Sequence, residues 1–144
     1  MHVILFLQML LRYVFDTNVL VAALRSDRGA SRRLLLSALK GEIQAIVSVP
    51  LSIEYEAVLT RPDQLEATET NAVLDALIAV ADPVLLWFLW RPRLVDPADE
   101  MVLETAVNGR ADCLVSFNLN HFKSAGKRNF KLLPRFWAAA GVVA

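Results

Sequence analysis

The chain has 144 residues with 15 basic and 15 acidic side chains, so it is formally neutral; 56% of it is hydrophobic and 21% charged. That length buries a core without staples, the composition excludes dominant disorder, and a single cysteine excludes an internal disulfide or a Cys-rich zinc site. A mean hydropathy of +0.43 raises the question of a membrane. The longest apolar runs, residues 3–11 and 84–90, fall short of the roughly 18–20 residues a spanning helix needs. The first run has no basic leader and no small-residue cleavage site after it, so no secretory signal is expected and the cytoplasm is the default location. Charge is unevenly spread: residues 1–48 carry a net +3, residues 49–120 a net −8 and residues 121–144 a net +5. An acidic site close to basic surfaces is one arrangement that such segregation favours, solvated faces being the other.

Residues 1–8 fit no element of the plan below. They are read as an extension or a packed flap, with Met9 a natural start, on a single domain covering residues 1–144. Residues 13–15 form a short β-prone run that ends at Asp16. Helical spacing follows over 18–24 and again over 31–40, where Leu34, Leu35, Ala38 and Leu39 share a side and Gly41 stops the helix. Residues 44–48 read as a buried strand. Pro50 then stands where a first helical turn begins, and Leu51, Tyr55, Val58 and Leu59 keep helical spacing until Arg61-Pro62. A further helix is expected over 69–81 and a third strand over 84–89. Asp96-Pro97-Ala98-Asp99 has the form of a helix start, with Asp96 as N-cap, and that helix runs to Asn108-Gly109. Residues 113–117 give a fourth strand, 129–132 a fifth, and 134–140 a closing helix. Apolar strands alternating with helices imply an α/β fold with a parallel sheet buried on both faces.

Sites in open parallel sheets form outside the carboxyl ends of the strands. Polar residues cluster at those positions here. Asp16 ends the first strand and is followed by Thr17 and Asn18; Glu54 lies early in the helix after the second. Asp96, Asp99 and Glu100 open the helix after the third, and Asn118, Asn120 and His121 follow the fourth. Carboxylate and carboxamide oxygens without a cysteine or histidine pair are hard ligands that suit Mg²⁺ or Mn²⁺. A cation also offsets the mutual repulsion of clustered acids, and it would lower the pKa of a bound water for phosphodiester cleavage. Simpler roles exist: Asp96 as a cap, Asp99 and Glu100 as first-turn acids, Glu54 as a solvent-facing helix residue. Asp16, between a buried strand and an apolar helix, is poorly explained by packing.

The run Val14-Phe15-Asp16-Thr17-Asn18-Val19-Leu20 resembles the opening motif of the PIN-domain nucleases, especially the toxin-like branch related to VapC ribonucleases. Val47-Ser48-Val49-Pro50 through Glu54 to Arg61-Pro62 resembles the segment with the second acid, and Asp96-Pro97-Ala98-Asp99-Glu100 through Ala106 the third. Ala111-Asp112-Cys113-Leu114-Val115-Ser116-Phe117-Asn118 with His121-Phe122 resembles the fourth, so the likeness spans roughly residues 12–137. It implies a three-layer α/β/α sandwich around a mostly parallel sheet of about five strands, and metal-dependent endoribonuclease activity with Mg²⁺ or Mn²⁺. Asp16, Glu54, Asp99 and Asn118 would form the catalytic set. Asp16 would hold the metal directly, Asp99 directly or through water, and Glu54 would orient a water or act as base. Asn118 departs from the family, since many relatives carry a fourth Asp there; its amide keeps an oxygen but removes a charge. Thr17, Asn18, Asp96 and Asp112 are supporting candidates. Thr17 could orient Asp16 by a hydroxyl bond or belong to the turn, and Asp112 could equally cap the turn before its strand.

Arg25, Arg28, Arg32 and Arg33 form one basic cluster, and Lys123, Lys127, Arg128, Lys131 and Arg135 another; Arg25, Arg28, Arg32 and Lys123 are the candidates for phosphate contacts. The loop over 118–128, with Gly126, is expected to close over substrate. His121 reads as a solvent-exposed or loop-packing residue, with phosphate donation as its other role. The expected partners are a single-stranded or structured RNA, an antitoxin protein and a second copy of the chain, with no membrane. Trp87, Phe88, Trp90 and Trp137 suit an interface, although core packing explains them more simply. Two rival functions remain: an RNA- or protein-binding module with weakened catalysis, suggested by Asn118, and a haloacid-dehalogenase-type phosphatase. The phosphatase chemistry wants a second acid where this chain has Asn18.

Overall fold

The computed structural model describes residues 10–61, 66–87, 97–118, 121–122 and 135–138. Five strands among them, β1 (Arg12–Phe15), β2 (Gln44–Ser48), β3 (Asp82–Val84), β4 (Cys113–Ser116) and β5 (Arg135–Ala138), form one sheet in the order β3-β2-β1-β4-β5. Every pairing is parallel. Helices α1 (Thr17–Arg25), α2 (Ala30–Leu39), α3 (Val49–Leu59), α4 (Ala67–Val80) and α5 (Pro97–Asn108) make the connections.

Parallel neighbours need crossovers, and these are right-handed. The chain steps from β1 to β2 to β3 in one direction through α1–α4, then returns across the sheet through α5 to β4. The rule therefore puts α1–α4 on one face and α5 on the other, the α/β/α sandwich expected from sequence. Packing agrees. α1 touches α2 and α3, α4 touches α2 and α3, and α5 lies against β1, β2 and β4 and also meets α3. Gly109, just past α5, comes so close to the sheet that a Cβ there would lie 2.7 Å from both Ile46 Cδ1 and Val84 Cγ2.

The core is built from the apolar runs of the sequence. Val14, Phe15, Ile46, Leu114 and Val115 are fully or almost fully buried, with Leu51, Tyr55 and Leu59 from α3 and Leu77 from α4 packed into the same cluster. α3 starts where Ser48 caps it: the Ser48 hydroxyl accepts the Leu51 N–H, and Pro50 occupies the first turn.

Two expected elements are corrected. The third strand is Asp82–Val84, ending where residues 84–89 were to begin. Its register explains the shift: Val84 pairs with Ser48, and at Val49 the partner chain turns into α3, so residues 85–87 have no ladder to join. The closing helix over 134–140 is replaced by β5, whose Phe136 and Trp137 pair in register with Leu114 and Val115. The four residues of β5 are too few to carry a helical or strand period of their own, and the open edge of β4 decides it. The strand expected at 129–132, residues 1–8 and the Asp96 cap lie outside the described residues. Trp87 is not core: it is 77% exposed. No helix among the described residues is long and apolar enough to cross a membrane.

Candidate active site

β1 is the strand at which the chain's direction across the sheet reverses, so the crevice beside its carboxyl end is where a site is expected. Asp16 stands there. It occupies the cap position of α1, yet its carboxylate makes no capping bond. The side chain is buried and accepts a 2.6 Å hydrogen bond from the Ser116 hydroxyl at the end of β4. Register makes this meeting inevitable. Phe15 pairs with Val115, and the Asp16 N–H donates to the Val115 carbonyl at 2.9 Å, so Asp16 and Ser116 leave the sheet side by side. From α3, the buried Tyr55 hydroxyl donates to the Phe15 carbonyl. Burial, and then the charge of Asp16, push the Tyr55 hydroxyl well above its ordinary pKa.

Asp99 is another buried carboxylate, in the first turn of α5, where the helix dipole favours an anion; Glu100 beside it and Glu104 one turn on are buried too. His121 Nδ1 lies 2.9 Å from Asp99 Oδ2. Asp16 and Asp99 are thus joined by one short stretch of chain. Ser116 holds Asp16; the Asn118 N–H donates to the Ser116 hydroxyl oxygen at 2.9 Å; the Asn118 carbonyl accepts the His121 N–H at 2.9 Å; and His121 reaches Asp99. Phe122, with no exposed surface, anchors the end of this strap in the core. Ser116 was not among the residues read from sequence, and His121 was read there as a loop histidine with phosphate donation as its other role.

A second hydroxyl pair ties α5 to β2 nearby. The Thr105 hydroxyl donates to the Met101 carbonyl, so the 2.6 Å bond between Ser48 and Thr105 takes its proton from Ser48, whose oxygen in turn accepts from Leu51. Each buried hydroxyl donates once and accepts once, which is what burial demands.

The remaining candidates separate. Glu54 is half-buried on α3, one residue before the Tyr55 that clamps β1; Asn118 is half-buried and engaged through its backbone; Thr17 is buried and Asn18 exposed, both at the start of α1. The hydroxyl bonded to Asp16 is that of Ser116, where Thr17 was one reading from sequence. Of the two readings of Asp112 the structural one fits: it precedes β4, at the opposite end of the sheet, where its carboxylate accepts the Arg12 N–H at 2.7 Å. Arg25 closes α1, about 12 Å along that helix from its start at 1.5 Å per residue, and Arg28 lies beyond it; both are exposed. Arg32 donates to the Ala23 carbonyl at 3.2 Å and so joins α2 to α1. Lys123 and Asp96 lie outside the described residues.

The donor set, two carboxylates with an amide and an imidazole at one sheet edge, fits a divalent cation in its chemistry. It is not a finished cage. Among the described residues, no group of three or more His, Cys, Asp or Glu side chains is arranged to hold a metal ion.

A sequence model of the PIN domain matches residues 12–120. The chain belongs to the PIN-domain family. Its fold is also that of solved PIN-type assemblies. VapBC2 from Rickettsia felis, bound to a promoter DNA fragment, has a TM-score of 0.61 at 17% identity over 88% of this chain and 99% of that one. VapBC-1 from nontypeable Haemophilus influenzae gives 0.59 at 10% identity over 89% and 98%. FitAB bound to a DNA fragment gives 0.60 at 14% identity over 92% and 98%. No curated protein matches the sequence at a significant level. Family members are typically nucleases that use divalent metal ions, and the membership sets aside the phosphatase alternative.

Proposed function

We propose that this PIN-domain chain is a metal-dependent endoribonuclease and the toxin of a toxin–antitoxin pair. The observation that carries the reading is the Asp16 carboxylate: buried, released from capping, and held by Ser116 at the switch point of the sheet beside the strap that reaches Asp99. A carboxylate is costly to bury, and a chain that only needed a helix cap would spend this one on the α1 N–H groups.

In this reading Asp16 and Asp99 hold Mg²⁺ or Mn²⁺, which neutralises phosphate charge and lowers the pKa of a water. Glu54 orients the attacking water or takes its proton, and Asn118 offers an amide oxygen. Ser116 keeps Asp16 aimed at the crevice, and Arg25, Arg28 and Lys123 supply phosphate contacts that do not read sequence. The resemblance to VapBC and FitAB assemblies supports an antitoxin partner. Exposed Val49, Ile53, Leu85 and Trp87 give apolar surface for that partner or for a second copy of the chain.

The test is cleavage of single-stranded and structured RNA by purified protein with and without Mn²⁺, beside Asp16→Asn. Metal-dependent cleavage that the variant loses supports the proposal; equal cleavage by both proteins overturns it. The second reading, a binding module with weakened catalysis, draws on Asn118 and on the lack of a three-ligand group among the described residues. RNA retention without cleavage in any divalent metal would favour it.

A further inference from the structure

The peptide that carries Asp16 out of the sheet is gripped at both of its polar ends. From that arrangement we infer that Tyr55 is a positioning residue. Its hydroxyl fixes the Phe15–Asp16 peptide and, through it, the aim of the Asp16 carboxylate and the placing of the helix that carries Glu54. The chemistry this serves rests on the proposed nuclease reading; the contact itself does not.

A trans peptide is planar, with its C=O and N–H pointing to opposite sides. Here the Asp16 N–H points to β4, where it donates to the Val115 carbonyl at 2.9 Å. The Phe15 carbonyl therefore faces the other neighbour, β2. The ladder with β4 runs as far as Phe15, whereas that with β2 is made at Arg12 and Tyr13. After Ser48 the chain of β2 has become α3, and a side chain of that helix supplies the donor: the Tyr55 hydroxyl bonds to the Phe15 carbonyl. Phe15 is buried, so its carbonyl needs such a partner.

Packing explains the ring and leaves the hydroxyl over. Leu51 and Leu59, four positions before and after Tyr55, are buried on the same face of α3, so the helix pattern asks only for an apolar residue at 55. The hydroxyl turns that packing contact into a fixed peptide plane. A swing of the plane would turn the Cα–Cβ bond of Asp16 and spoil the 2.6 Å hydrogen bond from Ser116. Glu54 is the preceding residue on α3. With Tyr55 turned in to β1, Glu54 lies about 100° around the helix, and it is half-buried. One hydroxyl thus ties the strand end that bears Asp16 to the helix that bears Glu54.

The experiment compares the full chain with Tyr55→Phe, which removes the hydroxyl and keeps the ring. Gly109→Ala, at the other end of the sheet, controls for a general loss of stability. In amide hydrogen exchange of the metal-free proteins, read by NMR, Tyr55→Phe should lower the protection of Asp16 roughly tenfold more than that of Ile46 and Leu114. In Gly109→Ala the three should fall together. At a temperature where circular dichroism shows all the proteins folded, calorimetric Mn²⁺ affinity should fall roughly tenfold in Tyr55→Phe and hold in Gly109→Ala. For RNA cleavage, kcat should fall while KM stays within about twofold, because the substrate contacts lie elsewhere. Asp16 protection that drops only in step with Ile46 and Leu114 overturns the inference, as does wild-type Mn²⁺ affinity in folded Tyr55→Phe. If Tyr55→Phe does not fold, 3-fluorotyrosine in place of Tyr55, a stronger donor, carries the test: Asp16 protection should rise, and no change overturns the inference. Selective loss at Asp16 in a chain that neither binds Mn²⁺ nor cleaves RNA upholds the clamp and overturns the nuclease reading.

Discussion

The two ends of β1 are both polar and are organised by different chemistry. At the amino end, Arg12 meets opposite charge and backbone: its Nη1 lies 2.7 Å from Asp82, its Nε donates to the Gly109 carbonyl at 2.9 Å, and its N–H donates to Asp112. Those contacts join β3, α5 and β4 to the central strand and account for each group by folding alone. At the carboxyl end, four residues away, the buried Asp16 is held by a neutral hydroxyl, and Asp99 by an imidazole. A guanidinium consumes the charge of its partner, whereas a hydroxyl aims a carboxylate and leaves its charge in place. One end of the strand locks the sheet, and the other, in the function proposed above, keeps charge for a ligand.

The contrast breaks most sharply at Ser116. Ser116→Ala removes the donor that aims Asp16 and should cut Mn²⁺ affinity and RNA cleavage roughly 10- to 100-fold, measured by calorimetry and a cleavage assay, with the fold retained. Gly109→Ala should do the reverse. Its Cβ would meet Ile46, Val84 and the Thr105 carbonyl at 2.7–2.8 Å, so the cost should be about 1–3 kcal/mol in urea unfolding, with the metal affinity of the folded fraction unchanged.

The middle of the strand gives a pH signature. Burial, with Cys113 beside it, raises the Tyr13 hydroxyl from 10.0 to about 12. The unfolded chain gives up that proton near pH 10 and the folded chain holds it, so stability is full below pH 10 and falls as pH rises through 12. Thermal melts across that range should show the decline, and Tyr13→Phe should flatten it. Asn118→Asp sharpens the comparison at the carboxyl end: restoring a charge should tighten Mn²⁺ binding by a few-fold if that side chain faces the ligand, and an unchanged affinity removes it from the site. The smallest effect belongs to Asp82→Asn. The Arg12–Asp82 pair is partly exposed, 30% and 47% by side chain, and its loss should cost under about 1 kcal/mol.

Much of this was legible in the sequence because apolar runs and breakers fall at the right spacing. Residues 44–48 are β2 as read, and Pro50 and Arg61 bracket α3 to within two residues. What failed was decided by neighbours in space. Residues 84–89 remain apolar after their partner strand has ended, and β5 takes its form from the edge of β4. The site divides in the same way. Asp16 was visible because an acid after a buried strand needs a reason. Ser116 was not, because a serine closing the run Cys-Leu-Val-Ser is unremarkable until β4 is set in register with β1. His121 was read as a loop residue because its contact spans 22 positions to Asp99.

Phe122 gives the strap a vulnerability of its own. Because this wholly buried ring secures the stretch that steadies one acid at each end, a substitution that loosens it would disturb Asp16 and Asp99 together while the strands stay paired. Silent yet well-folded variants should therefore arise from damage to a greasy residue that never meets the ligand, and a screen confined to charged positions would miss them.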